Sequence, residues 1–521
     1  MSMKSGPGVK QEIDLLEGFF RKSMVLFPIV VLFLLWATPP TKFFRLPFQS
    51  NDVDCRESHV DDLMKLWKES CSLNGTSLST SKSFPVAPHL ENCQQQALEW
   101  MEFDNRDANG RPPLWSREDE ELELELMIKN STKRSIKNLY PPWIKGGDED
   151  NLPLTRAVQR DLWRHQHPKN CTDPSVKFLV TNWLNSRGLG LGAELVAMAG
   201  ILAIALREKR VLVLTDFDRA KHEDCKGAAH GRWSCYFVPE TSEECRARAM
   251  ELEGDVKAWN QGTIVGLDNF SRTSVWTGPV PEYWGRPWET MQTFDVVDGE
   301  LLTTHKGMDR QWWRAQAVRY YMRFSSEYTC ILLNGARHKA FGKEAAQAVI
   351  QSSQKNWRKV INQRDVMKLL WAKHRPWIPR PLISLHVRQG DKAAEMKIFD
   401  LKSHMALAEM IRARFPDIKG IWLSTEMQSV VDEAVSNFTY WSFYFTKVAR
   451  QNGTTRMGDY ERSLGTRLSS NNAFVNLLMA VDCDHFVGGL GSTWSFLIDG
   501  LRLTGGKLKV GFFSVNKDRY W

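Results

Sequence analysis

The pattern of apolar and polar positions changes character along this 521-residue chain. Residues 24–37 (MVLFPIVVLFLLWA) form an uninterrupted apolar run, with Arg21 and Lys22 before it and Pro39-Pro40 after it. Residues 39–152 are polar, rich in Pro, Ser, Asn and charge, without sustained periodicity. From about residue 153, short apolar runs alternate with amphipathic stretches, the pattern of strands and helices in α/β domains.

In that last part Phe178-Leu179-Val180 predicts a strand, 185–192 (NSRGLGLG) a glycine-rich turn and 193–208 a helix. A second strand follows at Val211-Leu212-Val213-Leu214, completing a β-turn-α-β unit of a parallel sheet. Helical patterns run over 311–323 and 342–373, and Pro376, Pro379 and Pro381 mark a boundary. Strands at 382–387, 421–424 and 485–487 then alternate with helices at 402–414, 427–435, 473–479 and from Trp494 onward. The expected organisation is a tail (1–22), an anchor (23–38), a stem (39–152), an N-terminal α/β domain (153–379) and a C-terminal Rossmann-like domain (380–521). Ligands are expected in a cleft between the two domains, at the carboxyl ends of the strands.

The run 24–37 is short for a membrane span, which takes about 20 apolar residues. Phe19, Phe20, Phe43 and Phe44 extend it while Arg21, Lys22 and Lys42 snorkel. The segment before it is long and partly acidic, and no small-x-small cleavage site follows, so an uncleaved signal anchor is favoured over a signal peptide. A short tail ahead of a large domain places the tail in the cytoplasm and the rest in a lumen. Asn-x-Ser/Thr sequons at Asn74, Asn130, Asn170, Asn269, Asn437 and Asn452 agree with that topology. Nine cysteines include no CxxC pair, which speaks for disulfides over a zinc ribbon. Parity and a short, turn-rich loop pair Cys225 with Cys235, and Cys483, in an apolar strand context, is expected to stay unpaired. The net charge is +8 without a run of five Lys or Arg, which speaks against a nucleic-acid stripe. Most of the 21 tryptophans are expected in the core.

Three blocks carry candidate chemistry. In LISLHVRQGDKAAE (382–395), alternation puts Ile383, Leu385 and Val387 on one face and Ser384, His386 and Arg388 on the other. Asp391, Lys392 and Glu395 follow past Gly390 at the strand end. A guanidinium there forks onto a pyrophosphate, and a carboxylate takes a proton from an acceptor hydroxyl. In Trp422–Glu426, Thr425 either caps a helix or meets a ligand, and Glu426 is a base or ribose acceptor. In DCDHFVGGLGSTW (482–494), glycines, Ser492 and Thr493 open a helix suited to a phosphate.

With these residues in place, the chain resembles the inverting fucosyltransferases that build α1,6 linkages, and more distantly the protein O-fucosyltransferases. The resemblance rests on His386-x-Arg388, Asp391-Lys392, Thr425-Glu426, the block 484–493, the 185–192 loop and WSCYFVPETSEEC (233–245), in order over about 155–515. It implies a GT-B fold of two Rossmann-like domains facing a cleft, GDP-fucose as donor, no cofactor and no metal. It implies Arg388 on the β-phosphate, His386 near the nucleoside, and Ser492 and Thr493 on phosphate, with Gly190, Gly192, Thr425, Glu426 and Asn476 also in the nucleotide-sugar site. Glu395 is the candidate base beside Lys392. The His386–Glu395 spacing is one residue shorter than in the animal enzymes, which keeps Asp391 as the alternative. It also pairs Cys171 with Cys245 and places the enzyme in the Golgi as a type II membrane protein acting on a glycan or glycoprotein. Gln389 stands where the animal enzyme has a second arginine, and Asn476 where the family has an aspartate. The acceptor and the oligomeric state are left open.

Three other readings compete. Asp216-x-Asp218 after a strand suits a manganese-dependent glycosyltransferase. Gly188-x-Gly190-x-Gly192 approximates a dinucleotide fingerprint with the wrong spacing. A non-catalytic lectin-like relative would keep the fold without turnover.

Overall fold

A computed structural model of the chain describes residues 53–72, 86–116, 152–183, 189–277, 280–291, 295–297, 300–302, 306–353, 376–505 and 512–517. The chain divides into two units, 1–58 and 59–521, and the contacts below lie within the second. The apolar run 24–37, the acidic run 118–125 and the sequons at Asn74 and Asn130 fall outside the described residues. Among the described residues, no helix is long and apolar enough to cross a membrane.

The architecture is mixed α/β with two sheets, consistent with a Rossmann-like GT-B arrangement. The first sheet holds β1 (Lys177–Trp183), β2 (Arg210–Phe217) and β3 (Ile264–Gly266), all parallel, in the order β2-β1-β3. Helix Leu191–Arg207 crosses from β1 to β2. Its sequence is apolar apart from Glu194 and Arg207, and all but a few of its side chains are buried. Both faces of the sheet are covered, as parallel sheets require. Leu179, Leu212 and Leu214 join the large central core, whereas Phe178, Val180, Val211 and Val213 pack on the other side against Ala249 and Leu252.

The second sheet adds β4 (Asp295–Val297), β5 (Glu300–Leu302), β6 (Leu382–His386), β7 (Gly420–Ser424), β8 (Ser442–Tyr444), β9 (His485–Gly488) and β10 (Phe512–Ser514). Their order is β5-β4-β10-β9-β6-β7-β8, parallel except for the β4–β5 hairpin. Predicted strands and helices recur with shifted ends; the expected 342–373 helix starts earlier, at Glu327, and is described to Ser353.

Two boundaries differ from expectation. β4 and β5 precede residue 379 yet extend the second sheet, so the two α/β parts interleave. Strands of three residues carry too little periodicity to be read in advance. Part of the expected stem also belongs to the folded body. Asp104 receives two hydrogen bonds from buried Arg323, at 2.9 and 2.6 Å. Cys93 forms a disulfide with Cys330, and Trp67 packs into a core with Ala345 and Val349.

The expected Cys171–Cys245 and Cys225–Cys235 disulfides are both present. Cys483 keeps a buried thiol outside any disulfide, donating to the Met479 carbonyl. Trp67, Trp163, Trp233, Trp312 and Trp422 are among the largest fully buried side chains. The described sequon residues Asn170, Asn269, Asn437 and Asn452 are all exposed.

Candidate functional site

Strand β6 is central and wholly buried, with β7 on one side and β9 on the other. Its apolar face, Ile383, Leu385 and Val387, enters the second core as alternation requires. The Val387 amide still bonds Ser424 at 3.0 Å, so order persists one residue beyond the strand. The chain then turns at Gly390, whose φ of +57° is a left-handed conformation that favours glycine. A Cβ there would touch Glu426 Oε1 at an ordinary contact distance of 3.4 Å.

Arg388 stands at this corner. Its Nη1 donates to Glu426 Oε1 at 2.6 Å and to the Gln389 carbonyl at 2.8 Å, and its Nη2 donates to Asp391. A guanidinium has five N–H bonds. Three are spent on these contacts, and no partner among the described residues takes the other two. Burial opposes the charge of Arg388, but Glu426 and Asp391 outweigh it and hold the guanidinium more firmly protonated than usual. Glu426, with 4% of its side chain exposed, also accepts the Gln389 amide at 2.8 Å. Asp391 uses its second oxygen for the Met457 amide at 3.0 Å.

The remaining members of the block divide by exposure. His386 is buried, with Nδ1 2.9 Å from Ser495 Oγ. Burial, then Arg388 and His404, hold its imidazole well below the ordinary histidine range, so it is neutral. Lys392 pairs with Glu395, whose carboxylate side chain is 61% exposed.

At the end of β7, Thr425 Oγ1 accepts the Met427 amide at 3.2 Å, which steers the chain into helix Gln428–Asn437. Ser424 Oγ beside it is buried without a partner among the described residues. After β9, Gly491 (φ +89°) leads to Ser492, the residue before helix Thr493–Leu503, and no side chain caps that helix. Asn476 projects from helix Thr466–Asp482.

Another part of the site's lining is the start of helix Leu191–Arg207. A Cβ on Gly190 would lie 2.8 Å from Met457 Cγ, which would have to shift, and one on Gly192 3.3 Å from Trp494 Cε3, a tight contact. Residues 185–188 of the same loop are outside the described residues.

These pieces enclose one cavity of about 280 Å³. Its lining includes Arg388, Asp391, Lys392, Glu395, His386, Thr425, Glu426, Asn476, Ser492, Thr493, Gly190 and Gly192, the set that the resemblance assigns to catalysis and nucleotide-sugar binding. It also includes Ser424, Met457, Tyr460, Glu461, Asn472 and Trp494, which the sequence reading passed over. Ser424 and Trp494 lie inside the blocks 422–426 and 482–494, where neither was given a role. Met457, Tyr460 and Glu461 lie on a polar helix without a motif.

Asp216 and Asp218 are not in the lining; both pair with Lys221, at 2.7 Å for Asp218. His222, Cys225 and Cys235 cluster closely enough for a metal, but the two sulfurs are joined as a disulfide.

No protein-family profile matches the chain, and no curated protein matches it. Among solved structures it is similar to a crystal structure of POFUT1 in an apo form, at 11% identity and a TM-score of 0.26. That match covers 66% of this chain and 98% of the other. So weak a likeness carries no argument about function.

Proposed function

We propose that the chain is a glycosyltransferase that moves fucose from GDP-fucose to a hydroxyl of a glycan or glycoprotein, with inversion and without a divalent metal. One observation carries this reading. The residues chosen for nucleotide-sugar chemistry come from five separate stretches, yet all line a single cavity at the carboxyl ends of β6, β7 and β9.

In this mechanism the two remaining N–H bonds of Arg388 grip the β-phosphate, and Lys392 adds charge beside it. The N-terminal amides of helix Thr493–Leu503 and the Ser492 hydroxyl face the same group. The acceptor oxygen attacks the anomeric carbon as the bond to phosphate breaks. Glu395 takes the acceptor proton, because it is exposed at the cavity rim while Asp391 is committed to Arg388 and Met457. Neutral His386 and the amide of Asn476 belong to the nucleoside end. The run 24–37 anchors the enzyme in the Golgi membrane with residues beyond it in the lumen. Glycosidase digestion after expression in cells tests that topology, and an unshifted gel band refutes it.

The decisive experiment incubates the purified chain with GDP- and UDP-sugars and measures nucleotide release, with and without excess EDTA. Release from GDP-fucose that survives EDTA supports the reading. Release only with manganese, abolished by Asp216→Asn, replaces it with the metal-dependent alternative.

A further inference from the structure

The proposed chemistry leaves a buried charge cluster beside the cavity without a task. Arg219, with 3% of its side chain exposed, donates Nε to Glu194 Oε2 at 2.6 Å and Nη2 to Glu194 Oε1 at 3.0 Å. The same Nη2 donates to Glu461 Oε2 at 2.6 Å. Arg219 follows β2 and Glu194 lies on helix Leu191–Arg207, so both belong to the first sheet's side. Glu461 comes from helix Met457–Leu464, which lies in the chain between β8 and β9 of the second sheet. Its side chain is 14% exposed and lines the cavity.

Glu461 has a second attachment. Its Oε1 accepts the Leu191 amide at 3.4 Å, at the uncapped start of helix Leu191–Arg207. The helix that carries Glu461 is itself pinned at two further points. The Met457 amide donates to Asp391, the ion-pair partner of Arg388, and the Tyr460 hydroxyl donates to the Ala449 carbonyl at 2.7 Å. Gly190 lies against Met457 and Glu461, and a Cβ there would have to shift Met457. A continuous route therefore runs from Arg388 through Asp391 and helix Met457–Leu464 to Glu461, Arg219 and Glu194.

Stability is a weak explanation for such a cluster. Buried ion triads gain little over packed apolar residues, because desolvation consumes most of the attraction. We infer that Glu461 is a positioning residue. It holds helix Met457–Leu464 against the Gly190 side, fixing the width of the cavity and, through Asp391, the placement of Arg388 for a nucleoside diphosphate. The nucleotide part of this inference rests on the function proposed above.

Glu461→Gln is the test variant, because it preserves shape and leaves Arg219 paired one-to-one with Glu194. Arg219→Ala would strand two carboxylates and risk unfolding. Hydrogen exchange is measured on wild type and Glu461→Gln without ligand, and GDP affinity by calorimetry on both and on Glu461→Asp. Faster exchange at 189–193 and 457–464, with GDP bound about tenfold more weakly and partly recovered in Glu461→Asp, is expected. Unchanged exchange, or unchanged GDP affinity, overturns the positioning role while leaving the functional reading intact. A wild-type chain that binds neither GDP nor GDP-fucose sinks the functional reading and takes the nucleotide role of Glu461 with it.

Discussion

Glu426 Oε1 lies 2.6 Å from Arg388 Nη1 and 2.8 Å from the Gln389 amide nitrogen. One carboxylate oxygen thus fixes both the guanidinium and the backbone that follows it. The sequence suggested a base or ribose contact for Glu426; its geometry makes it first a holder of Arg388. A preset guanidinium loses little conformational freedom when a phosphate arrives. Glu426→Ala orphans two N–H groups and is expected to weaken donor binding about tenfold or more. Glu426→Gln keeps an acceptor oxygen at the same place and removes a charge that repels phosphate, so its loss should be much smaller. Calorimetry with GDP on both variants checks this; equal losses refute the hydrogen-bond account.

The two candidate bases separate by exposure. Asp391, with 23% of its side chain exposed, has its oxygens on Arg388 and the Met457 amide, whereas the Glu395 side chain is 61% exposed. Glu395→Gln should therefore lower turnover about 100-fold or more while sparing GDP affinity. Asp391→Asn should damage affinity and turnover together. Steady-state kinetics beside binding data decide, and a fully active Glu395→Gln would return the base role to Asp391.

How far the sequence was readable depends on how local the cause was. The face of Ile383, Leu385 and Val387 was legible because alternation along one strand is enough to assign it. The Arg388–Glu395 corner followed, since charges at the end of an apolar strand have few other uses. Glu461 was not legible. Its meaning comes from Arg219, 242 positions away, and its own helix is polar and unremarkable in sequence. The same holds for β4, β5 and β8, whose three-residue strands exist through their neighbours in the sheet. Helix Thr466–Asp482 began earlier than expected because its first turns are polar apart from the exposed Leu468, with Ser469 and Asn472 on the cavity.

Cys93–Cys330 closes a separation of 237 residues and ties the segment before Asp104 to helix Glu327–Ser353. Arg337 and Glu91 add an ion pair at 2.8 Å nearby. None of these residues lines the cavity. Replacing both cysteines by serine should cost about 2–5 kcal/mol of stability with activity retained at low temperature. Denaturant unfolding and nucleotide-release assays measure the two separately; lost activity in a folded variant would contradict this.

Acid should act through a buried histidine. His404 sits beneath β6 with Nδ1 donating to the Asp400 carbonyl at 2.8 Å. Burial, against smaller opposing contributions from Asp400, lowers it from 6.5 to about 4. The unfolded chain takes up this proton below about pH 6.5, while the folded chain resists it until about pH 4. The stability it contributes is complete above pH 6.5 and is lost as pH falls toward 4. The slope approaches about 1.4 kcal/mol per pH unit. His404→Gln should flatten the acid side of the stability profile by that amount. Urea unfolding of both proteins across pH 4–7 tests it, and parallel profiles would refute it.

Arg388 is the residue whose loss should hurt most. In the proposed transfer, negative charge grows on the departing phosphate as the sugar becomes oxocarbenium-like. A donor that binds this charge more tightly in the transition state than in the ground state raises the rate. Arg388 brings two N–H bonds beyond those that anchor it, enough for a fork on two phosphate oxygens. Lysine keeps the charge but cannot be held by Glu426 and Asp391 and fork at once, so Arg388→Lys should still lose about 100–1000-fold in turnover. Arg388→Ala should lose more. Gln389 offers no second cation, and its amide is turned to the Phe399 carbonyl at 3.2 Å. The alanine variant also leaves Glu426 and Asp391 without their partner, so circular dichroism must first establish folding. Turnover of GDP-fucose is then compared across wild type, Arg388→Lys and Arg388→Ala. A folded Arg388→Ala that turns over like wild type would remove Arg388 from the chemistry and reopen Asp216 and Asp218 as the charge-handling pair.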